Sequence, residues 1–129
     1  MDPGNAYFRI VTEPARGLVR IVRSSEAMPR DEEAVRRAFG ALVEPLRKLT
    51  GYKALIDLRN GPPGRNDDEF ERATRSAQTE MTRNFSRIAF LVRSAVGKLQ
   101  VRRLGRGRGN NNVFLDEEEA LRYLAEERA

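Results

Sequence analysis

The chain has 129 residues, 40% of them hydrophobic, enough for one compact domain that buries about two thirds of its unfolded surface. Cysteine and histidine are absent, which excludes disulfides, thiolate nucleophiles, imidazole general bases and zinc sites built on soft or nitrogen ligands. The formal charge is +5, with 24 basic residues (21 of them arginine) against 19 acids, and the longest apolar runs have about five residues where a bilayer span needs roughly twenty.

The N-terminal Met1-Asp-Pro-Gly-Asn5 has neither the basic start nor the apolar run of a secretory signal, so a cytoplasmic location is expected, with residues 1–5 disordered. Tyr7–Glu13 and Leu18–Arg23 are rich in β-branched and aromatic residues, and Pro14-Ala-Arg-Gly17 supplies turn chemistry between them, which predicts a hairpin. From Asp31 to Leu49 the residues Val35, Ala38, Phe39, Leu42, Val43, Leu46 and Leu49 recur at spacings of three and four. Acids open this stretch and bases close it, as a helix favours, with Pro45 as a perturbation and Gly51 as the stop.

Lys53–Leu58 is short and almost uniformly apolar, the pattern of a strand covered on both faces. Beyond the Gly-Pro-rich stretch, Phe70, Ala73, Ala77, Met81 and Phe85 predict a second helix over Asp68–Phe85, and Arg87–Val92 a further strand. Ala95, Val96 and Leu99 mark a short third helix, and residues 105–112 have the composition of an exposed, mobile basic loop. Val113–Leu115 reads as the last strand. Asp116 and Glu119 form a capping box for a final helix with Ala120, Leu121, Leu124 and Ala125 inward. The order β-β-α-β-α-β-(α)-β-α predicts a single α/β domain over residues 1–129: a mixed sheet of four to five strands, parallel after its N-terminal hairpin, with helices packed on it.

Three segments, Ala54–Arg59, Arg87–Val92 and Asn112–Leu124, taken in this order and spacing, resemble the STAS domains, the sulfate-transporter and anti-sigma-antagonist modules, and more closely their SpoIIAA-like branch. The resemblance covers nearly the whole chain. It implies a protein-interaction or small-ligand module without catalysis or cofactor, with a protein partner of regulator or kinase type or a second copy of the chain. Typical antagonist members carry a phosphorylatable serine, preceded by aspartate, at the start of the helix after the central strand. Here Gly64-Arg-Asn-Asp-Asp68 stands there, so any switching is expected to come through binding. Asp67 or Asp68 as a permanent phosphate mimic is the alternative to ordinary acids at a helix start.

The strand-to-helix junction is where ligands bind in open α/β sheets, which makes Asn60, Gly61, Gly64, Arg65, Asn66, Asp67 and Asp68 the candidate partner- or ligand-binding residues. Asp57, an acid inside an apolar strand, is either a carboxyl of raised pKa or a structural group bonded to loop amides, Arg59 or Arg65. The second reading is preferred, because no titratable partner of known role stands beside it. Asp67, Asp68 and Glu69 lack the ligand spacing of a calcium loop. Gly61-Pro-Pro-Gly64 lacks the lysine and hydroxyl of a phosphate-binding loop, although Arg65 remains placed to meet a small anion.

Between Glu80 and Asp116 there is no acid, and eight bases give that window +8 while the rest of the chain carries −3. Its arginines Arg102, Arg103, Arg106 and Arg108 are the candidate contacts for nucleic acid or an anionic membrane, set against the plainer reading of a solvated loop. A third reading is carriage of a small apolar or anionic ligand, the apolar kind in a pocket lined by Phe70, Met81 and Phe85, which core packing would equally explain.

Overall fold

The computed structural model describes residues 6–61, 79, 83, 85–94 and 111–126. Five strands form one mixed sheet in the spatial order of the chain: β1 (Phe8–Glu13), β2 (Leu18–Arg23), β3 (Lys53–Asp57), β4 (Arg87–Leu91) and β5 (Asn111–Phe114). β1 and β2 pair antiparallel, with Phe8 opposite Arg23 and Glu13 opposite Leu18. Every later neighbour is parallel, through Val22–Asp57, Asp57–Leu91 and Leu91–Phe114. A single turn of 3-10 helix, Pro14–Arg16, closes the hairpin, and Gly17 takes the left-handed φ of +60° that a side chain would strain.

Helix α1 (Glu32–Arg47) starts where the Asp31 carboxylate accepts the Ala34 N–H at 3.1 Å. Pro45 lies in its last turn and the helix continues two residues past it, because so near the end only one internal bond is lost. The chain reverses through Gly51, whose φ of +87° again suits glycine. The second described helix, α2 (Glu117–Ala125), is capped by Asp116, which accepts from the Glu119 N–H at 3.1 Å. The return bond from the Glu119 side chain is missing among the described hydrogen bonds, so only half of the predicted box forms.

Strand alternation sorts the core onto two faces. One face sets Phe8, Ile10, Val19, Ile21, Ala54, Ile56 and Ile88 against Val35, Phe39, Leu42 and Leu46 of α1, with Phe85 in the same cluster. The other sets Leu18, Leu55, Ala89 and Leu91 against Ala120 and Leu124 of α2. β3 therefore has buried side chains on both sides, as its near-continuous apolar run requires. Two boundaries differ from the sequence reading. Asn111 and Asn112, placed there in the exposed loop, belong to β5 and pair with Ile88 and Ala89, while Leu115 lies outside the strand and is half exposed. Ladder pairing decides this, and composition does not report it. Ala125, expected inward, is exposed at the helix end.

Candidate functional site

The two described helices leave the carboxyl end of the sheet on opposite faces: α1 follows β2 onto one and α2 follows β5 onto the other. The end of β3 lies between these departures, the part of the sheet at which open α/β folds form their ligand crevice. Asp57 is the last residue of β3, on the face of Leu55 and Leu18, and it is nearly buried.

The Asp57 carboxylate is held by the residue two positions on. Its Oδ1 accepts the Arg59 backbone N–H and Nε, both at 3.0 Å, and its Oδ2 accepts Arg59 Nη2 at 2.9 Å, a side-on bidentate pair. Arg59 Nη2 also reaches Glu117 Oε1 at 3.0 Å, tying the end of β3 to the first turn of α2. Glu117 Oε2 lies 3.8 Å from Arg20 Nη1, and Arg20 Nε donates to Glu13 Oε2 at 2.9 Å. Arg16 closes the row on Glu13 Oε1 at 3.0 Å. Three arginines and three acids thus alternate diagonally across the sheet from the hairpin to the crevice.

Burial pushes the Asp57 carboxyl up, but the hydrogen bonds and charge of Arg59, with Arg20 behind it, outweigh that and hold it below the usual carboxylate range. The hydrogen bonds it donates to Asp57 raise Arg59 in return. The Glu13 carboxyl is likewise lowered, by its hydrogen bonds from Arg20 and then Arg16. Asp57 is therefore the structural group that the sequence favoured, fastened by Arg59 and a loop amide. Among the described residues, no group of three or more acidic side chains is placed to hold a metal ion.

The loop after Asp57 closes through Leu58 N–H to Leu91 O at 2.8 Å and Gly61 N–H to Leu58 O at 3.2 Å. Of the candidates named from sequence, Asn60 is exposed on this turn and Gly61 is half-buried against the neighbouring strand. A Cβ on Gly61 would stand 3.0 Å from Cγ of Arg23, so any larger residue here would have to push the Arg23 stem aside by a few tenths of an ångström. Gly64, Arg65, Asn66, Asp67 and Asp68 lie outside the described residues, as do Glu69, Phe70, Met81, Arg102, Arg103, Arg106 and Arg108. Phe85, the described member of the suggested apolar pocket, is built into the core cluster beneath α1.

Two arginines that sequence reasoning passed over are buried. Arg87, included there in the basic window, faces inward beneath α2: its Nη1 donates to Tyr123 O at 2.5 Å and meets Glu126 Oε2 at 3.2 Å, and its guanidinium lies 4.6 Å from the Tyr123 ring centre. It satisfies carbonyls at the C-terminus of α2, where the helix dipole favours a cation. Arg23 sits at the other end of the sheet, over the Tyr7 and Phe8 rings at 5.9 and 5.7 Å. The signal for both was period-two alternation: Arg23 follows Val19 and Ile21 on one face, and Arg87 precedes Ala89 and Leu91 on the other.

No family model matches the chain, and no curated protein or solved structure matches it. Among the described residues, no helix is long and apolar enough to cross a membrane.

Proposed function

We propose that the chain is a non-enzymatic, STAS-like regulatory module that binds a protein partner of regulator or kinase type at the carboxyl end of its sheet. One observation carries this reading: the acids described at this end, Asp57 and Glu117, are spent on Arg59 and Arg20. A general acid or base needs a pKa near the working pH and a free valence toward substrate. Asp57 is held ionised by Arg59 and has three acceptor positions filled. A binding surface has no such need. The same end offers exposed Asn60, Arg93 and Ser94, with half-exposed Leu115 beside them, a mixture of polar and apolar groups that a partner can use.

The family part of the reading is supported by the order of elements, a five-stranded sheet parallel after its hairpin with helices on both faces. With no serine in Gly64–Asp68, regulation rests on occupancy by the partner rather than on phosphorylation at that position. The test is affinity capture from native lysate with wild-type chain and with a variant carrying Asn60→Arg, Arg65→Glu and Asp68→Lys. A partner retained by the wild type and lost by the variant, at unchanged circular dichroism, is the expected result. Capture of the same proteins by both, or of none by either, overturns the proposal.

A further inference from the structure

We propose that Arg23 is an oxyanion receptor at the carboxyl end of the sheet, binding a carboxylate or phosphate group side-on through Nε and Nη2. Arg23 ends β2 and is 8% exposed, yet none of the ion pairs among the described residues includes it. Its bonds all run through Nη1, to Ser24 O at 2.7 Å and, at 3.5 Å, to Tyr7 O and Ser24 Oγ. Among the described residues Nε and Nη2 meet no acceptor.

A guanidinium taken this far out of water regains little from one good carbonyl contact and two ring faces. An oxyanion on the open edge would supply the charge-assisted bidentate pair that the planar fork is built for. The molecule contains an instance of that pairing one strand away: Arg59 uses the same Nε and Nη2 edge on Asp57, at 3.0 and 2.9 Å. Arg59 has its carboxylate supplied by the chain, whereas Arg23 has an equivalent edge and no carboxylate within ion-pair distance among the described residues, Glu26 acting on it only through space. Its orientation is fixed in advance, by the Nη1 bonds on one side and by Gly61 against the Cγ methylene on the other. Burial pulls the Arg23 guanidinium down from its ordinary high value, and it remains charged throughout the accessible pH range. The inference does not depend on a protein partner, because the receptor is read with the purified chain and small anions.

The test is titration of the 15N-labelled full chain with inorganic phosphate, and separately with acetate, each against sodium chloride at equal ionic strength. Saturable shifts of the Ser24 and Gly61 amides with phosphate or acetate but not chloride are expected, and which anion binds more tightly tells a phosphate site from a carboxylate site. Arg23→Gln should weaken binding at least tenfold, while Arg30→Gln, an exposed arginine on the connection from β2 to α1, should leave it unchanged. If Arg23→Gln fails to fold, Arg23→Lys keeps the charge, loses the fork and should still weaken binding several-fold. Chloride-like behaviour of both anions, equal binding by the Arg23 variant that folds, or equal weakening by Arg30→Gln overturns the proposal.

Discussion

Arg23 and Arg87 are buried to the same extent, 8% exposed each, at opposite ends of two strands that flank β3, and their surroundings differ in one respect. Arg87 meets helix carbonyls, a carboxylate and a ring at the amino end of the sheet. Arg23 meets carbonyls and rings at the carboxyl end and no carboxylate among the described residues. Equal burial therefore says little about role. A buried cation that meets a carboxylate of its own chain, as Arg87 meets Glu126, fastens one element to another. One that meets no carboxylate among the described residues is equipped to recognise an anion, and Arg23 lies at the same end of the sheet as Asp57.

The sharpest way to break this comparison is to remove each cation in turn. Arg87→Met should cost about 2–3 kcal/mol, since it leaves buried carbonyls without their charged donor, and it should loosen α2 first. Arg23→Met should cost about 1 kcal/mol or less, because desolvation of the cation is relieved as its bonds are lost. Urea unfolding followed by circular dichroism measures both, and equal losses would dissolve the distinction.

Asp57→Asn comes next, expected to cost about 1–2 kcal/mol at neutral pH by replacing an ionised acceptor with an amide. Because its folded pKa lies below the unfolded value of about 3.9, the stability Asp57 contributes is complete above that value and is lost as pH falls through the folded one. The wild type should therefore lose its advantage over Asp57→Asn on acidification from about pH 5 to below about pH 3. A constant gap across that range would mean that Arg59 does not favour the ionised form.

Gly61→Ala tests the support behind Arg23: with 3.0 Å to Cγ the arginine stem must shift, at about 1 kcal/mol, and phosphate-induced amide shifts should weaken with it. The smallest effect belongs to the exposed pair Glu44–Arg47, 3.1 Å apart on α1, where Arg47→Ala should change stability by less than about 0.5 kcal/mol. A larger loss there would show that exposed ion pairs matter more in this chain than burial does.

Much of the architecture was legible in the residues. Alternation and three-four spacing located the hairpin, α1, β3, β4 and α2, and Asp116 caps its helix as its position suggested. Those patterns report which side of an element meets apolar atoms, a local property. The crevice was legible only as a location. Asp57 was expected to bond to Arg59 or loop amides, and does, but Glu117 and Arg20 join it from positions 60 and 37 residues away, and no spacing rule links them. Asn111 and Asn112 hid in a stretch of loop composition because ladder pairing with β4 outweighs their low strand propensity.

The sequence by itself determined the class of the molecule, an α/β domain without cysteine or histidine chemistry, since composition and periodicity are carried by each residue and its near neighbours. Only the tertiary structure decided which of the buried arginines meets a carboxylate of its own chain and which does not. Charges act over distances set by how strands and helices pack, and sequence separation carries no record of those distances. Arg87 is basic in the same way as Arg23 until α2 is laid across one of them.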